Sequence, residues 1–396
     1  MLASDPVQVD ASLLTRKMKI LHVETGRHFY GGAQQVVYLL DGLRGKNVDN
    51  VLVCPPGTEI DTQARQLGAK VFNVASAGDL DLAFTWWLKK IMDWERPDVV
   101  HCHSRRGADF LGGAAVAMAG LPAVVSRRVD HPEPGMVAKL RYRPFRKVIA
   151  ISENVAAVLR ENGVDEAHLS IIRSAVDFGR FQAPPARQEL LDEFRLSERN
   201  FVIASLGQLI PRKGHRYLLE AMSGLARKMP RARLLIFGKG KLQPELMEQA
   251  ARLELDGVVQ FAGFRRDLDC YMGAFDLVVH PALREGLGVS MLKAAAAGVP
   301  VVAFDVAGSR EAVVSGRTGI LVPPKDTGAL EQAILTLAEN GMLRRACGEA
   351  ARRRMREEFS IETMVEKHVE LYESLLSPAE NGQEGKGRPY VSQQLD

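Results

Sequence analysis

The sequence predicts an α/β protein built from two Rossmann-like domains that face one another across a cleft, and three observations carry the prediction. Its 396 residues exceed the roughly 250–300 at which one hydrophobic core stops growing. Short apolar runs rich in β-branched residues alternate with helix-length amphipathic segments, the pattern of parallel sheets covered on both faces. The alternation breaks at a proline-bearing polar stretch near the middle and then begins again.

Residues 1–17 carry Asp5 and Asp10 and no long apolar stretch, so they read as a loose leader and not as a secretory signal. The first domain is expected over 18–180, with strands in "KILHVE" (19–24), "NVLVC" (50–54), "DVVHCH" (98–103), "PAVVS" (122–126) and "KVIAIS" (147–152). Pro184 and Pro185 lie in the expected linker, 181–192, because paired prolines suit a connection better than an element interior. The second domain follows over 193–360, with strands in "FVIASLG" (201–207), "ARLLIFG" (232–238), "VVQFAG" (258–263), "DLVVH" (276–280) and "VPVVAFD" (299–305). Residues 361–376 carry a helical apolar stripe, whereas 377–396 have little to bury and read as a disordered tail.

Composition narrows the function. Fifty-two basic against 48 acidic side chains leave a net charge of +4, too small to point to nucleic acid. No apolar run approaches the roughly 18 residues of a membrane span. Cys54, Cys102, Cys270 and Cys347 are far apart and form no C-x-x-C pair, which disfavours a zinc knuckle or a disulfide framework and suits a reducing cytoplasm.

Open α/β folds bind ligands at the C-terminal ends of their strands, so motifs there matter most. In "HFYGGAQQVV" (28–37), Gly31 and Gly32 let backbone amides approach an anion at a helix start; a tight turn without a ligand is the alternative. The stretch lacks a full G-x-G-x-x-G, which disfavours a nicotinamide cofactor. In "GQLIPRKGH" (207–215), Arg212 and Lys213 offer a planar fork and a point charge suited to a diphosphate, or a solvated basic loop. In "EGLGVSMLKAAAAGVPVV" (285–302), Gly286 and Gly288 open the start of an alanine-rich helix to a phosphate, and the Glu285 carboxylate can accept hydrogen bonds from vicinal sugar hydroxyls. The alternative is a buried helix whose Glu merely complements its dipole.

Taken together, the Gly31–Gly32 pair, the "PRKG" loop, "FGKGKL" (237–242) and "EGLGVSMLKAAAAGVPVVAFDVAGSREAV" (285–313) resemble the retaining glycosyltransferase family 4 of the GT-B fold, over about residues 18–376. The resemblance implies a nucleotide-diphosphate sugar as donor substrate, held mainly by the second domain, an acceptor held mainly by the first, and no metal or other cofactor. It implies that Arg212 and Lys213 bind the donor diphosphate, that Gly32 closes over it, and that Glu285 contacts donor sugar hydroxyls. Leu287, Gly288 and Val289 would offer amides to the phosphate, beside Gly31 and Gly286. The loops Gly238–Lys239–Gly240 and Phe264–Arg265–Arg266 would line the base.

Three positions depart from the family pattern. Lys293 stands where a second acid normally binds ribose hydroxyls; an ammonium can only donate, to a ribose oxygen or to a nearby acid. Gln208 replaces a frequent arginine, leaving more of the diphosphate to Arg212 and Lys213. Arg128 stands in place of a frequent active-site histidine; it cannot act as a base, so it would orient or neutralise charge, with His131 as a nearby substitute. In the retaining reaction the departing phosphate can itself take the acceptor's proton, so such a loss is tolerable.

His101 and His103 of "HCH" share a strand face, but no visible carboxylate or cysteine set completes a metal site. His103 is expected to line the cleft with His101 packed beneath. Between His103 and Lys147, nine Lys or Arg, among them Arg105, Arg106, Arg127 and Arg128, face three acids. This local excess favours an acidic or phosphorylated saccharide or glycolipid acceptor, bound by His103, Arg105, Arg106, Arg127 and His131, or an anionic membrane surface. In "FTWWLKKIMDW" (84–94), Phe84, Trp87, Leu88, Ile91 and Trp94 form one helical stripe expected in the core, while Trp86, Lys89 and Lys90 fall where headgroups are reachable. The expected enzyme is a cytoplasmic glycosyltransferase, peripheral at the inner membrane face, acting on a lipid-linked saccharide such as a lipopolysaccharide core. Two other readings share the layout, a non-catalytic nucleotide-sugar binder and a sugar-nucleotide epimerase.

Overall fold

The computed structural model describes residues 16–29, 31–76, 78, 81–103, 105–181 and 187–377, and of Arg105 and Arg106 the backbone only. The expected leader (but for Arg16 and Lys17) and the expected tail (but for Ser377) lie outside the described residues.

Two parallel sheets form the two domains. The first has seven strands, β1 (Met18–Val23), β2 (Val48–Cys54), β3 (Lys70–Asn73), β4 (Val99–Cys102), β5 (Ala123–Arg127), β6 (Lys147–Ala150) and β7 (Leu169–Ile171), in the order β3-β2-β1-β4-β5-β6-β7. The second has six, β8 (Phe201–Leu206), β9 (Ala232–Phe237), β10 (Val259–Gly263), β11 (Leu277–His280), β12 (Val301–Phe304) and β13 (Gly319–Val322), in the order β10-β9-β8-β11-β12-β13. Each order reverses beside the first strand of its sheet, β1 against β4 and β8 against β11, which opens a crevice at the strands' C-terminal ends. All ten strands expected from the sequence are present. The three additions, β3, β7 and β13, are edge strands of three or four residues, too short to show a period.

The linker is corrected: Arg187–Glu193 is a helix whose Leu190 and Leu191 are buried, and Arg187 donates to Asp276 at 3.2 Å, so the second domain begins inside the expected connection. The C-terminal helix Ile361–Leu376 returns to the first domain. Its Val365 sits against Gly42 of the helix Gly31–Leu43, where a Cβ would come within 2.3 Å of the valine methyl. Its Tyr372 hydroxyl reaches His101 Nδ1 at 2.6 Å.

The tryptophan stripe is also corrected. Phe84, Leu88 and Ile91 are core, but Trp87 is 51% and Trp94 75% exposed. The helix Leu82–Glu95 packs on Phe110–Ala119 over a face narrower than its apolar arc, so the large rings at its margin are left outside.

Candidate active site

The two crevices meet. Gly31 opens the helix Gly31–Leu43, and a Cβ there would lie 3.9 Å from Val289, the first residue of the helix Val289–Ala296. A Cβ on Gly32 would lie 3.4 Å from the Arg128 side chain, and one on Gly286 4.0 Å from the Arg128 carbonyl. Two helix starts, each with unpaired amides, therefore face the same space from opposite domains. Gly288 caps the second with φ +72° and no side-chain cap; a side chain there would be strained and would meet Met291 at 2.2 Å.

The loop carrying Glu285 is held from three sides. Glu285 accepts from Lys213 Nζ and, at 2.9 Å, from His280 Nε2 at the end of β11. Burial alone would raise the carboxyl's pKa, yet the His280 and Lys213 contacts prevail and hold it far below the ordinary range. The carbonyls of Glu285 and Gly286 accept from Asn154 at 3.0 Å and Ser152 at 2.9 Å of the first domain. Gly308 backs the loop so closely that a Cβ would stand 2.2 Å from the Glu285 carbonyl oxygen. Lys213 and Glu285, expected on different parts of a donor, are thus paired with each other, while Arg212 has no side-chain partner among the described residues.

Across the interface, Arg284 donates to Asp130 Oδ2 at 3.1 Å, and Glu311 accepts from the amides of Glu153 and Asn154 at 2.9 and 2.8 Å, at the start of the helix Glu153–Glu161. None of His280, Arg284, Asn154 or Glu311 was singled out in the sequence. Glu311 lies within the family-like stretch 285–313; the others carry no local signal.

The two loops expected to line the base are close to one another, Gly238 N donating to the Gly263 carbonyl at 2.8 Å. Gly238 and Gly240 approach the carbonyls of Gly207 and Leu209 so tightly that a Cβ would stand 1.8 and 2.3 Å away. Phe264 is exposed with Lys239 Nζ 5.4 Å from its ring centre, a flat surface beside a cation. Arg265 is corrected: its guanidinium is held by Glu193 and Asp267 and lies over Tyr271, so it braces the loop instead of facing it. Lys293 pairs with Asp269 at 2.7 Å, and Asp269 also takes Arg180 at 3.3 Å, so the reversed charge at 293 is answered by an acid of the short helix Leu268–Tyr271.

The acceptor set fares unevenly. His103 is buried and lines a cavity of about 170 Å³ with Glu24, Gly32, Ser126 and Arg128. Arg128 Nε has no partner among the described residues, and burial lowers the side chain's pKa to about 10. Arg127 lines the same cavity, but its guanidinium is already tied to Glu133, to the Val129 carbonyl at 3.0 Å and to the His131 carbonyl at 2.8 Å, a bracing role the sequence did not suggest. His131 itself is exposed. The side chains of Arg105 and Arg106 lie outside the described residues.

Comparison with known proteins assigns each domain. Residues 30–180 match the model described as Glycosyltransferase Family 4, and residues 186–354 match Glycosyl transferases group 1. The chain is 24% identical, over 90% of its length and 97% of the relative's, to the UDP-Gal:alpha-D-GlcNAc-diphosphoundecaprenol alpha-1,3-galactosyltransferase of Escherichia coli. It is 23% identical, over 90% and 99%, to the lipopolysaccharide core biosynthesis glycosyltransferase LpsE of Rhizobium meliloti. Among solved structures, Anabaena Alr3699/HepE in complex with UDP superposes with a TM-score of 0.80 at 21% identity, over 90% of this chain and all of that one.

Proposed function

For a chain that belongs to the glycosyltransferases of the GT-B fold, we propose a retaining transfer of a sugar from a nucleotide-diphosphate sugar to a hydroxyl of a lipid-linked saccharide of the lipopolysaccharide-core kind. The observation that carries it is the meeting of two helix starts, at Gly31–Gly32 and Gly288–Val289, with Arg128, Arg212 and the Lys213–Glu285 pair in one interdomain cleft.

Each group has a task there. Amides of Gly288 and Val289, with Arg212 and Lys213, stabilise the charge that grows on the departing diphosphate. An arriving diphosphate competes with Glu285 for the Lys213 ammonium, and the carboxylate, still fixed by His280, turns its free lone pairs to sugar hydroxyls. Phe264 beside Lys239 supplies a stacking face for the base. The bond between the anomeric carbon and the phosphate oxygen breaks, that carbon bonds the acceptor oxygen on the same face, and the acceptor's proton passes to the departing phosphate. No side-chain base is required, which is compatible with arginine at 128. A UDP-sugar donor is supported by the UDP held in the Anabaena structure and by the UDP-Gal named for the Escherichia coli relative.

The outer face of the first domain supports a membrane-borne acceptor. Leu82, Trp86, Trp87, Trp94, Met136 and Leu140 are exposed on the helices Leu82–Glu95 and Gly135–Tyr142, with Lys90 lying 3.9 Å from the Trp86 ring centre. Among the described residues no helix is long and apolar enough to cross a membrane. Aromatic rings interleaved with cations suit an anionic bilayer surface.

Two measurements test these readings. One of UDP-glucose, UDP-galactose, UDP-N-acetylglucosamine or GDP-mannose is expected to raise the melting temperature, by the equivalent of about 2.7 kcal/mol at a hundredfold excess over its Kd, and no rise with any would refute the donor. Vesicles with phosphatidylglycerol are expected to float the protein at low salt, and Trp86→Ser with Trp87→Ser to weaken flotation severalfold; equal flotation of both proteins would refute the membrane face.

A further inference from the structure

Behind Arg128, three imidazoles stand at the C-terminal ends of two adjacent strands. His22 on β1, His101 on β4 and His103 just after it place ring nitrogens within 4.8 Å of one another. Five of their six ring nitrogens already have partners. His101 reaches the Tyr372 hydroxyl at 2.6 Å and the Ser126 hydroxyl at 2.8 Å, groups that rotate and impose no polarity.

The other two rings form a chain whose direction is set. Asn50 donates its Nδ2 to the Leu40 carbonyl at 3.4 Å, so its Oδ1 faces His22 Nε2 at 3.2 Å and that nitrogen carries the proton. Burial keeps His22 neutral, its pKa lowered to about 4, so its Nδ1 is bare and accepts from His103 Nε2 at 3.0 Å. His103, also held neutral by burial, therefore has its proton on Nε2 and a lone pair on Nδ1. Among the described residues, that nitrogen is the one ring nitrogen of the six without a partner, on a buried residue lining the cavity beside Arg128.

We propose that Asn50 and His22 fix the tautomer of His103 so that its Nδ1 receives a non-reacting hydroxyl of the acceptor saccharide. The inference rests on the transfer reading above. His103 touches substrate, and His22 and Asn50 are positioning residues. So weak a base orients the sugar and does not take its proton. The consequence is selectivity: a free hydroxyl is accepted at that position, while a methylated or phosphorylated oxygen, having no hydrogen to give, is rejected.

Full-length protein labelled with 15N-histidine, with His103 assigned through His103→Asn, is expected to show a protonated Nε2 and a bare Nδ1. In Asn50→Asp the carboxylate favours a doubly protonated His22, whose Nδ1 then donates, and the His103 proton is expected to move to Nδ1. With octyl glycosides of glucose, galactose, mannose and N-acetylglucosamine as acceptors, His103→Phe and Asn50→Asp are expected to raise KM for the glycoside about 10- to 100-fold, the loss of one buried hydrogen bond. The donor-induced rise in melting temperature is expected to persist in both, and His103→Asn, whose side-chain oxygen stands near the Nδ1 position, to recover most of the KM. A protonated Nδ1 in the wild type, an unchanged KM in His103→Phe, or stoichiometric zinc held by the three histidines would overturn the proposal. Failure of every nucleotide sugar to raise the wild-type melting temperature would sink the transfer reading instead, and the tautomer measurement alone would then decide the relay.

Discussion

At the scale of single residues, the site is organised by which charges are already answered. Lys213 and Glu285 neutralise one another, Lys293 meets Asp269, and Arg127 meets Glu133, whereas Arg212 and the Nε of Arg128 meet nothing among the described residues. On the proposed transfer, Lys213→Ala removes a cation from the departing diphosphate and leaves Glu285 with His280 alone, so nucleotide release is expected to fall about 100-fold or more, the scale of one transition-state donor; release within a few-fold of wild type would remove Lys213 from the mechanism. That Arg212, Lys213 and Glu285 lie at strand ends was legible, because the apolar runs that precede them mark where the strands stop. The pairings of Arg127 and Arg265 were not, because their acids come from Glu133 and from the remote Glu193, and spacing says nothing of such contacts.

At the scale of elements, close backbone approach decides where the loop carrying Glu285 sits. Gly308, in the short helix Ala307–Ala312, abuts the Glu285 carbonyl, and neither partner is a side chain that could swing away. Gly308→Ala is therefore expected to cost about 1–3 kcal/mol and to displace Glu285 with a loss of donor turnover. Gly45→Ala, in open space, provides the control. Equal denaturation midpoints for the two variants would contradict this packing. Strands with continuous apolar runs were readable from composition and period, but β3, β7 and β13 were not, since three or four residues at an edge owe their pairing to the strand beside them. The exposed Trp87 and Trp94 had the spacing of core residues; only their exposure beside the buried Phe84, Leu88 and Ile91 shows that the stripe overruns its contact.

At the scale of the whole molecule, the first domain is completed by the last helix. His22, His101, His103 and His368 of that helix form one buried group with Tyr372 and Arg128, and burial lowers the pKa of each histidine, to about 4 for His22 and about 3 for His368. Above the ordinary value of 6.5 both folded and unfolded chains hold these rings neutral. As pH falls through 6.5 toward 4 the unfolded chain takes up protons that the folded one refuses, so stability is full above that window and is lost within it, by about 3 kcal/mol for His22 alone. The melting temperature is expected to drop steeply between about pH 6.5 and pH 4.5, and a flat profile in calorimetry would contradict the buried neutral group. The sequence by itself determined the two α/β domains, the strand ends that matter and the chemical types waiting there, because periodicity, glycine placement and charge are local properties. Only the tertiary structure decided which charges pair, that the C-terminal helix closes the first domain, and that His22, His101 and His103 come together beside the cavity, because each depends on groups far apart in the chain being brought within hydrogen-bonding distance.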